Sequence, residues 1–242
     1  MIKNMRLLKY LVLFLTVTII LSAGCIGNKK TSEEWVDEGR VLMQGNIYDE
    51  AIEAFDKAIE LDPQNVDAWL SKAYALERLD RSEEALQTYD KAIEISPQEA
   101  YPLESKAYYL RELGRYEEAL QTYDKAIKID PMSANTWIDK GNTYDQMSEY
   151  EEALQAYNKA LELSPSSRDA WNYKADTLYE LGRYEESLKA YERAIVLLRE
   201  NHNMEDGESM YGAGNALKAM GKNDEAQVYY DMAREAGFQW DL

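Results

Sequence analysis

The sequence predicts an all-α solenoid of stacked helix–turn–helix units, and three observations carry that prediction. The first is a period. Four of the five prolines, Pro63, Pro97, Pro131 and Pro165, stand 34 residues apart. The second is apolar patterning between them. Trp69, Leu70, Ala73 and Leu76 form one stripe at helical spacing, and Ala85, Leu86, Tyr89, Ala92 and Ile93 form another. The third is composition. With 12 Gly and 5 Pro in 242 residues, helix formers dominate.

The chain opens on Lys3, Arg6 and Lys9, followed by an apolar run from Tyr10 to Leu21 and then Ser22-Ala23-Gly24-Cys25. A basic start, a short apolar run and small residues describe a secretory signal peptide over residues 1–24. The run is shorter than the roughly 20 residues a spanning helix needs. The small residues ending in cysteine resemble the lipobox of prokaryotic lipoproteins, in its looser archaeal form. Ser22 stands where the usual leucine would be, with Leu21 one place earlier. That resemblance implies a lipid on Cys25 and a location on the extracytoplasmic face of the cell membrane. Secretion after cleavage and an uncleaved anchor reaching Gly24 are the alternatives. Residues 25–31 then form a short linker, reaching roughly 25 Å when extended.

The 34-residue grid extends well beyond proline. Ala58, Ala92, Ala126, Ala160 and Ala194 lie on it, as do Phe55, Tyr89, Tyr123, Tyr157 and Tyr191. Trp35, Trp69, Trp137 and Trp171 share it, with Leu103 in the remaining slot. Asp80, Gly114 and Gly182 fall between the two stripes, where a left-handed turn is wanted. Each grid proline lacks an N–H and disfavours helix at the residue before it, so it ends the second helix.

This pattern resembles the tetratricopeptide repeat (TPR) family. It is fullest in Trp137, Gly141, Tyr144, Tyr150, Ala153, Tyr157, Ala160 and Pro165. Small residues such as Gly141 and Ala160 let backbones approach, and aromatics such as Trp137 and Tyr157 fill the gaps. The resemblance implies a right-handed α-solenoid of six units. Five regular repeats are expected at 32–65, 66–99, 100–133, 134–167 and 168–201. From Ala194 to Ala233 the spacing is 39, so 202–206 reads as an insertion and 207–240 as an atypical sixth repeat. Phe238 and Trp240 either fold back over its end or form an exposed docking spot.

Charge narrows the partners. The 45 acidic and 27 basic residues give −18, which repels nucleic acid and favours cationic partners. Losing residues 1–24 would take it to −21. One cysteine and one histidine, His202, cannot make a disulfide or a usual zinc site. His202 reads as a solvated loop residue. Gly212-Ala213-Gly214 lacks a dinucleotide fingerprint's third glycine, and Gly221-Lys222-Asn223 lacks the rest of a P-loop. Asp206 sits where a calcium loop over Asn201 to Glu208 would require glycine. The pairs Glu83-Glu84, Glu117-Glu118, Glu151-Glu152 and Glu185-Glu186 suit helix N-termini rather than catalysis. Lys72, Lys106, Lys140 and Lys174 read as lysines packed along their stems, with a binding role the alternative. No enzyme activity, cofactor or metal is expected.

In the TPR family the first helices line the concave surface. Carried over, this places Val36, Arg40 and Met43, then Leu70, Tyr74 and Glu77, then Tyr101, Glu104, Tyr108 and Arg111 on that surface. Ile138, Asn142 and Asp145 follow, then Asp169, Asn172, Asp176 and Tyr179, then Tyr211 and Asn215. The expected peptide-binding groove is Tyr74, Tyr108, Arg111, Asn142, Asp176, Tyr179 and Tyr211, though each tyrosine could equally pack on a second helix. Ile138, Asp139 and Asp169 do not fit the basic clamp by which chaperone-binding members hold a terminal carboxylate. The function expected is a membrane-anchored protein–protein interaction scaffold binding a basic or apolar peptide or helix. A pilotin-like assembly factor of a cell-envelope machine is the alternative.

Overall fold

The computed structural model describes residues 30–200 and 207–239. The signal segment, Cys25, most of the linker, the 202–206 insertion with His202, and Trp240 lie outside the described residues. Among the described residues the fold is all-α, with twelve helices and no strand. They are α1 Ser32–Gln44, α2 Tyr48–Leu61, α3 Val66–Arg78, α4 Ser82–Ile95, α5 Tyr101–Glu112, α6 Tyr116–Ile129, α7 Ala134–Gln146, α8 Tyr150–Leu163, α9 Arg168–Glu180, α10 Tyr184–Glu200, α11 Gly207–Ala219 and α12 Asn223–Glu235. Among the described residues no helix is long and apolar enough to cross a membrane. The chain divides into two units. The described part of Met1–Leu79 holds α1 to α3, and that of Asp80–Leu242 holds α4 to α12.

Four odd-numbered helices, α1, α3, α7 and α9, are capped by side chains. Thr31 and Glu34 form a reciprocal capping box on α1. The Asn65 side chain accepts from the Ala68 N–H on α3, Ser133 from Thr136 on α7, and Ser167 from Ala170 on α9. Helix α5 has no such cap. The aligned N–H would belong to Pro102, which has none. Even-numbered helices begin after a tight turn whose left-handed residue recurs on the grid: Asn46, Asp80, Gly114, Ser148 and Gly182. At Gly114 the turn is closed by the N–H groups of Gly114 and Arg115, which donate to the carbonyls of Arg111 and Leu110 at 2.9 Å.

The second helix then opens on an acidic turn. Arg115 forks onto Glu118, with both hydrogen bonds at 2.6 Å, and Arg81–Glu84 and Arg183–Glu186 repeat the arrangement. The recurrent Glu pairs are therefore helix-start features.

Helices in a pair meet where a small residue faces a ring. A Cβ on Gly39 would fall 2.3 Å from the Phe55 ring, and one on Gly141 would fall 2.5 Å from the Tyr157 ring. Phe55, Tyr123 and Tyr157 are fully buried, each contributing roughly 1.5–3 kcal/mol by apolar burial. The Trp69 and Trp171 indoles donate to the carbonyls of Pro63 and Pro165 at 3.0 Å, tying each first helix to the turn before it. The lysine ladder is structural. Lys72, Lys106 and Lys140 donate to Asp56, Asp90 and Asp124 on the preceding second helix at 2.5–2.6 Å. Asn158 replaces that aspartate in the next repeat, and Lys174 lies over the Trp171 ring at 5.1 Å, its pKa held down by burial.

Candidate binding face of the first helices

In the unit holding α1 to α3, Tyr74 is half exposed at 50%. Arg78, on the same helix, lies 5.6 Å from the Tyr48 ring. Arg40, Asp37, Asp67 and Asn65 line an open depression with Glu33, Val36 and Asp62, where Arg40 reaches Asp67 at 3.3 Å. Among the described residues no group of His, Cys, Asp or Glu is placed to hold a metal ion.

In the second unit the face is built by α5, α7, α9 and α11. Tyr108 is exposed at 47% and its ring covers Arg111, whose guanidinium carbon is 4.6 Å from the ring centre. Arg111 itself is only 8% exposed. It reaches Asp139 at 3.5 Å and Glu112 at 3.2 Å. An arginine expected in the groove wall is thus sunk beneath a tyrosine. Its Nε–H is enclosed and has no partner among the described residues.

Asn142 and Asp176 answer to internal partners. The Tyr157 hydroxyl lies 2.7 Å from both Asn142 Oδ1 and Asp145 Oδ2. It has one hydrogen, and the charged Asp145 is the stronger acceptor. The Tyr191 hydroxyl donates to Asp176, and the Tyr230 hydroxyl donates to Asn215 at 2.9 Å. In each case a second-helix tyrosine reaches back 15 residues to the first-helix face. Tyr123 has Tyr108 at that spacing instead, and its fully buried hydroxyl has no partner among the described residues.

Other contacts stitch successive first helices together. Thr177 Oγ1 on α9 lies 3.0 Å from both oxygens of Asp145 on α7. Thr136 on α7 donates to Glu104 on α5, and Ser209 on α11 donates to Asn172 on α9 at 2.8 Å. Tyr179 packs on Tyr184, with ring centres 5.2 Å apart. Tyr211 is held between Tyr230 and Phe238 at 5.6 and 5.4 Å, so Phe238 folds back over the last helix pair. Of the predicted groove, Tyr74, Tyr108 and Asp176 are exposed. Tyr179 and Tyr211 serve packing, and Asn142 and Asp176 serve tyrosine hydroxyls. Tyr173 was not among the expected residues. It is 38% exposed and stacks on the Tyr157 ring at 5.9 Å. The 15-residue Tyr-to-Asn/Asp spacing was the sequence signal available for the internal bonds.

The face is electrostatically crowded. Burial raises the Asp139 carboxyl above its ordinary value, with Arg111 opposing. Burial likewise raises Asp145 against the hydrogen bonds from Tyr157 and Thr177. Asp176 is pushed up to about 6, by burial first and then by Glu208, Asp145 and Glu180, against the bond from Tyr191. Its side chain is nonetheless open to solvent at the surface.

Models described as tetratricopeptide repeat match residues 36–100 and 138–202, and residues 88–121. A model described as TPR repeat matches 106–148. No curated protein matches the chain in sequence. Among solved structures the chain is similar to PilW, described as a widely conserved type IV pilus biogenesis factor. The identity is 20% over 84% of this chain and 92% of that one, with a TM-score of 0.69. It is similar to PilF of Pseudomonas aeruginosa at 22% identity over 86% and 93%, with a TM-score of 0.67. It is also similar to YrrB, described as a TPR protein with an unusual peptide-binding site, at 22% over 76% and 93%, with a TM-score of 0.59. At these identities the likeness is one of fold.

Proposed function

The chain belongs to the tetratricopeptide repeat family, and from that premise we propose that it is a protein–protein interaction scaffold whose first-helix faces bind a peptide or helix of a partner. The observation that carries this reading is the pair of exposed tyrosines Tyr108 and Tyr173 on first helices of one unit, with Asp169 and Asp139 near Tyr173. Tyrosine offers a large apolar surface and a hydroxyl at small entropic cost, which suits a recognition surface. Held on rigid helices, such side chains need little ordering when a partner docks. The lipobox-like Ser22-Ala23-Gly24-Cys25 supports a lipid on Cys25 and a place on the extracytoplasmic face of the membrane.

Affinity capture from native membranes, with the full chain and with a Tyr108→Ala/Tyr173→Ala variant, tests the docking face. Partners retained by the wild type and lost by the variant are expected, and equal retention by both overturns the reading. Intact mass of the membrane-extracted protein tests the anchor. A diacyl-type addition at Cys25 is expected, and an unmodified chain starting near residue 25 refutes it. A second reading, an assembly factor of a cell-envelope machine, is favoured by the likeness in fold to PilW over 92% of that chain. Its test is whether deletion abolishes assembly of a surface structure.

A further inference from the structure

The face formed by α5, α7 and α9 carries more negative charge than its own cations answer. Glu104, Asp139, Asp145 and Asp176 lie on it, and the one basic side chain among them, Arg111, is buried and engaged by Asp139 and Glu112. Neither Asp145 nor Asp176 pairs with a cation among the described residues. Their partners are the hydroxyls of Tyr157, Thr177 and Tyr191. The Asp145 carboxylate also disfavours ionisation of Asp176.

Arg111 shows how this face takes a cation, with a carboxylate to one side and a tyrosine ring over the guanidinium. One repeat along, all three positions change. Asp145 stands in the place of Arg111, Tyr173 in the place of Asp139 and Asn142 in the place of Tyr108. The positive group has gone, and a carboxylate and an exposed aromatic ring are present in a new arrangement.

A second observation, one repeat earlier on the same face, points to a docking segment rather than to its charge. The Tyr123 hydroxyl is fully buried, has no partner, and lies in the field of Asp139, Arg111, Tyr108 and Glu104. Its counterparts Tyr157, Tyr191 and Tyr230 are all hydrogen-bonded. Beside it the Arg111 Nε–H is also unmatched. An unmatched buried polar group costs roughly 1–3 kcal/mol. The chain alone therefore leaves this face incomplete beside the exposed Tyr108 ring, and the Arg111 Nε–H, a donor only, would be completed by an acceptor such as a backbone carbonyl of a docking segment.

We propose that this face binds a basic segment, seating a lysine or arginine side chain of the partner between the Asp145 and Asp176 carboxylates and against the ring of Tyr173. The proposal rests on the first-helix face being the docking face. The raised carboxyls of Asp145 and Asp176 are compatible with it: burial raises them first and neighbouring carboxylates add to it, and an incoming cation would favour their charged forms.

The probe is a fluorescein-labelled helical peptide of 14 residues or so bearing lysine at i, i+4 and i+8 spacing, with glutamine and glutamate versions beside it. Binding to the full chain is followed by anisotropy at moderate salt. The lysine peptide is expected to bind at least about tenfold more tightly than the glutamine peptide, and the glutamate peptide more weakly still. Asp145→Asn/Asp176→Asn is expected to weaken the lysine peptide about tenfold. Glu151→Gln/Glu152→Gln makes the same change in net charge on α8 and is expected to stay within about twofold.

Equal losses in the two double variants overturn the seat. If Tyr108→Ala/Tyr173→Ala still weakens all three peptides, that result leaves the docking face standing. Insensitivity to the tyrosine variant as well overturns the docking face itself. No binding of the lysine peptide at millimolar concentration overturns the basic-segment proposal. Should the Asn variant lose its helical circular dichroism, the wild type decides. Asp176 is faced by Tyr191 from α10, Asp145 from α7, Glu180 from α9 and Glu208 from α11, and titrates at about 6. Affinity should therefore drop about tenfold from pH 7.5 to 5, and a flat profile overturns the seat.

Discussion

Asp176 sits in the fold at an electrostatic disadvantage. Its carboxyl titrates at about 6, chiefly because of burial, whereas an aspartate in an unfolded chain titrates at about 3.9. Between those values the folded state holds a proton that the unfolded state has released. Stability therefore falls as pH rises through this window, and the penalty is complete above it. Asp176→Asn removes the charge and keeps an acceptor for Tyr191. The variant should melt at a higher temperature than the wild type at pH 7, with the difference closing towards pH 4. A difference that stays constant over that range would place its cause elsewhere. Gly141 is constrained by shape instead. An added Cβ would meet the Tyr157 ring at 2.5 Å, and that ring is held by its hydroxyl bond to Asp145 and by stacking on Tyr173. Gly141→Ala should cost about 1–3 kcal/mol in urea unfolding. Gly45→Ala, whose Cβ would meet nothing nearer than 3.4 Å, is the control. The pairing of glycine with a ring was readable from the grid. The burial of Arg111 was not, because it depends on Tyr108 lying over it and on Asp139 reaching it from another helix.

At the scale of the element, first helices α3, α7 and α9 are each capped by a single side chain at their start. Ser167 accepts from the Ala170 N–H at 3.3 Å on α9. Ser167→Ala should cost about 1 kcal/mol. Glu99→Ser places a hydroxyl at the aligned position before α5, but the N–H it would accept belongs to Pro102 and does not exist. No gain is expected there. Thermal melts of the two variants measured together check the contrast, and a stabilised Glu99→Ser chain would show that α5 finds its cap at another N–H. Ser148 raises a related point. It holds φ +59 where neighbouring repeats place Gly114 and Gly182, and a side chain in that region costs about 1 kcal/mol or more. Periodicity makes the turns and helix pairs legible in the sequence, since each is a local matter of stripe, turn residue and proline. It could not tell which first-helix residues stay open. That is decided by whether the first-helix residue is an Asn or Asp that accepts from the tyrosine 15 residues on, as Asn142, Asp176 and Asn215 do, and by packing such as Phe238 on Tyr211.

For the whole molecule, the governing quantity is charge. The net −18 comes from 45 acidic and 27 basic residues, so an average carboxylate has more carboxylates than cations around it. Folding concentrates that charge and is opposed by it. The ordered ion pairs work the other way. The Arg81–Glu84, Arg115–Glu118 and Arg183–Glu186 forks and the Lys–Asp ladder are mostly at the surface, where each is worth only about 0–1 kcal/mol. Salt screens both effects. The repulsion is summed over the whole acidic excess and reaches beyond a single contact, about 30 Å at 0.01 M salt and 8–10 Å near 0.1 M. Its loss should outweigh the weakening of a few exposed pairs. The midpoint of helix loss on heating should therefore rise by several degrees between about 0.01 M and 0.5 M sodium chloride, with most of the rise below about 0.15 M, where the screening length shortens fastest. Because each helix pair in a repeat array is stabilised by its neighbours, the transition should also keep a similar breadth as it moves. A midpoint that falls with added salt would mean that the lysine ladder and arginine forks, and not the acidic excess, set the electrostatic balance of the fold.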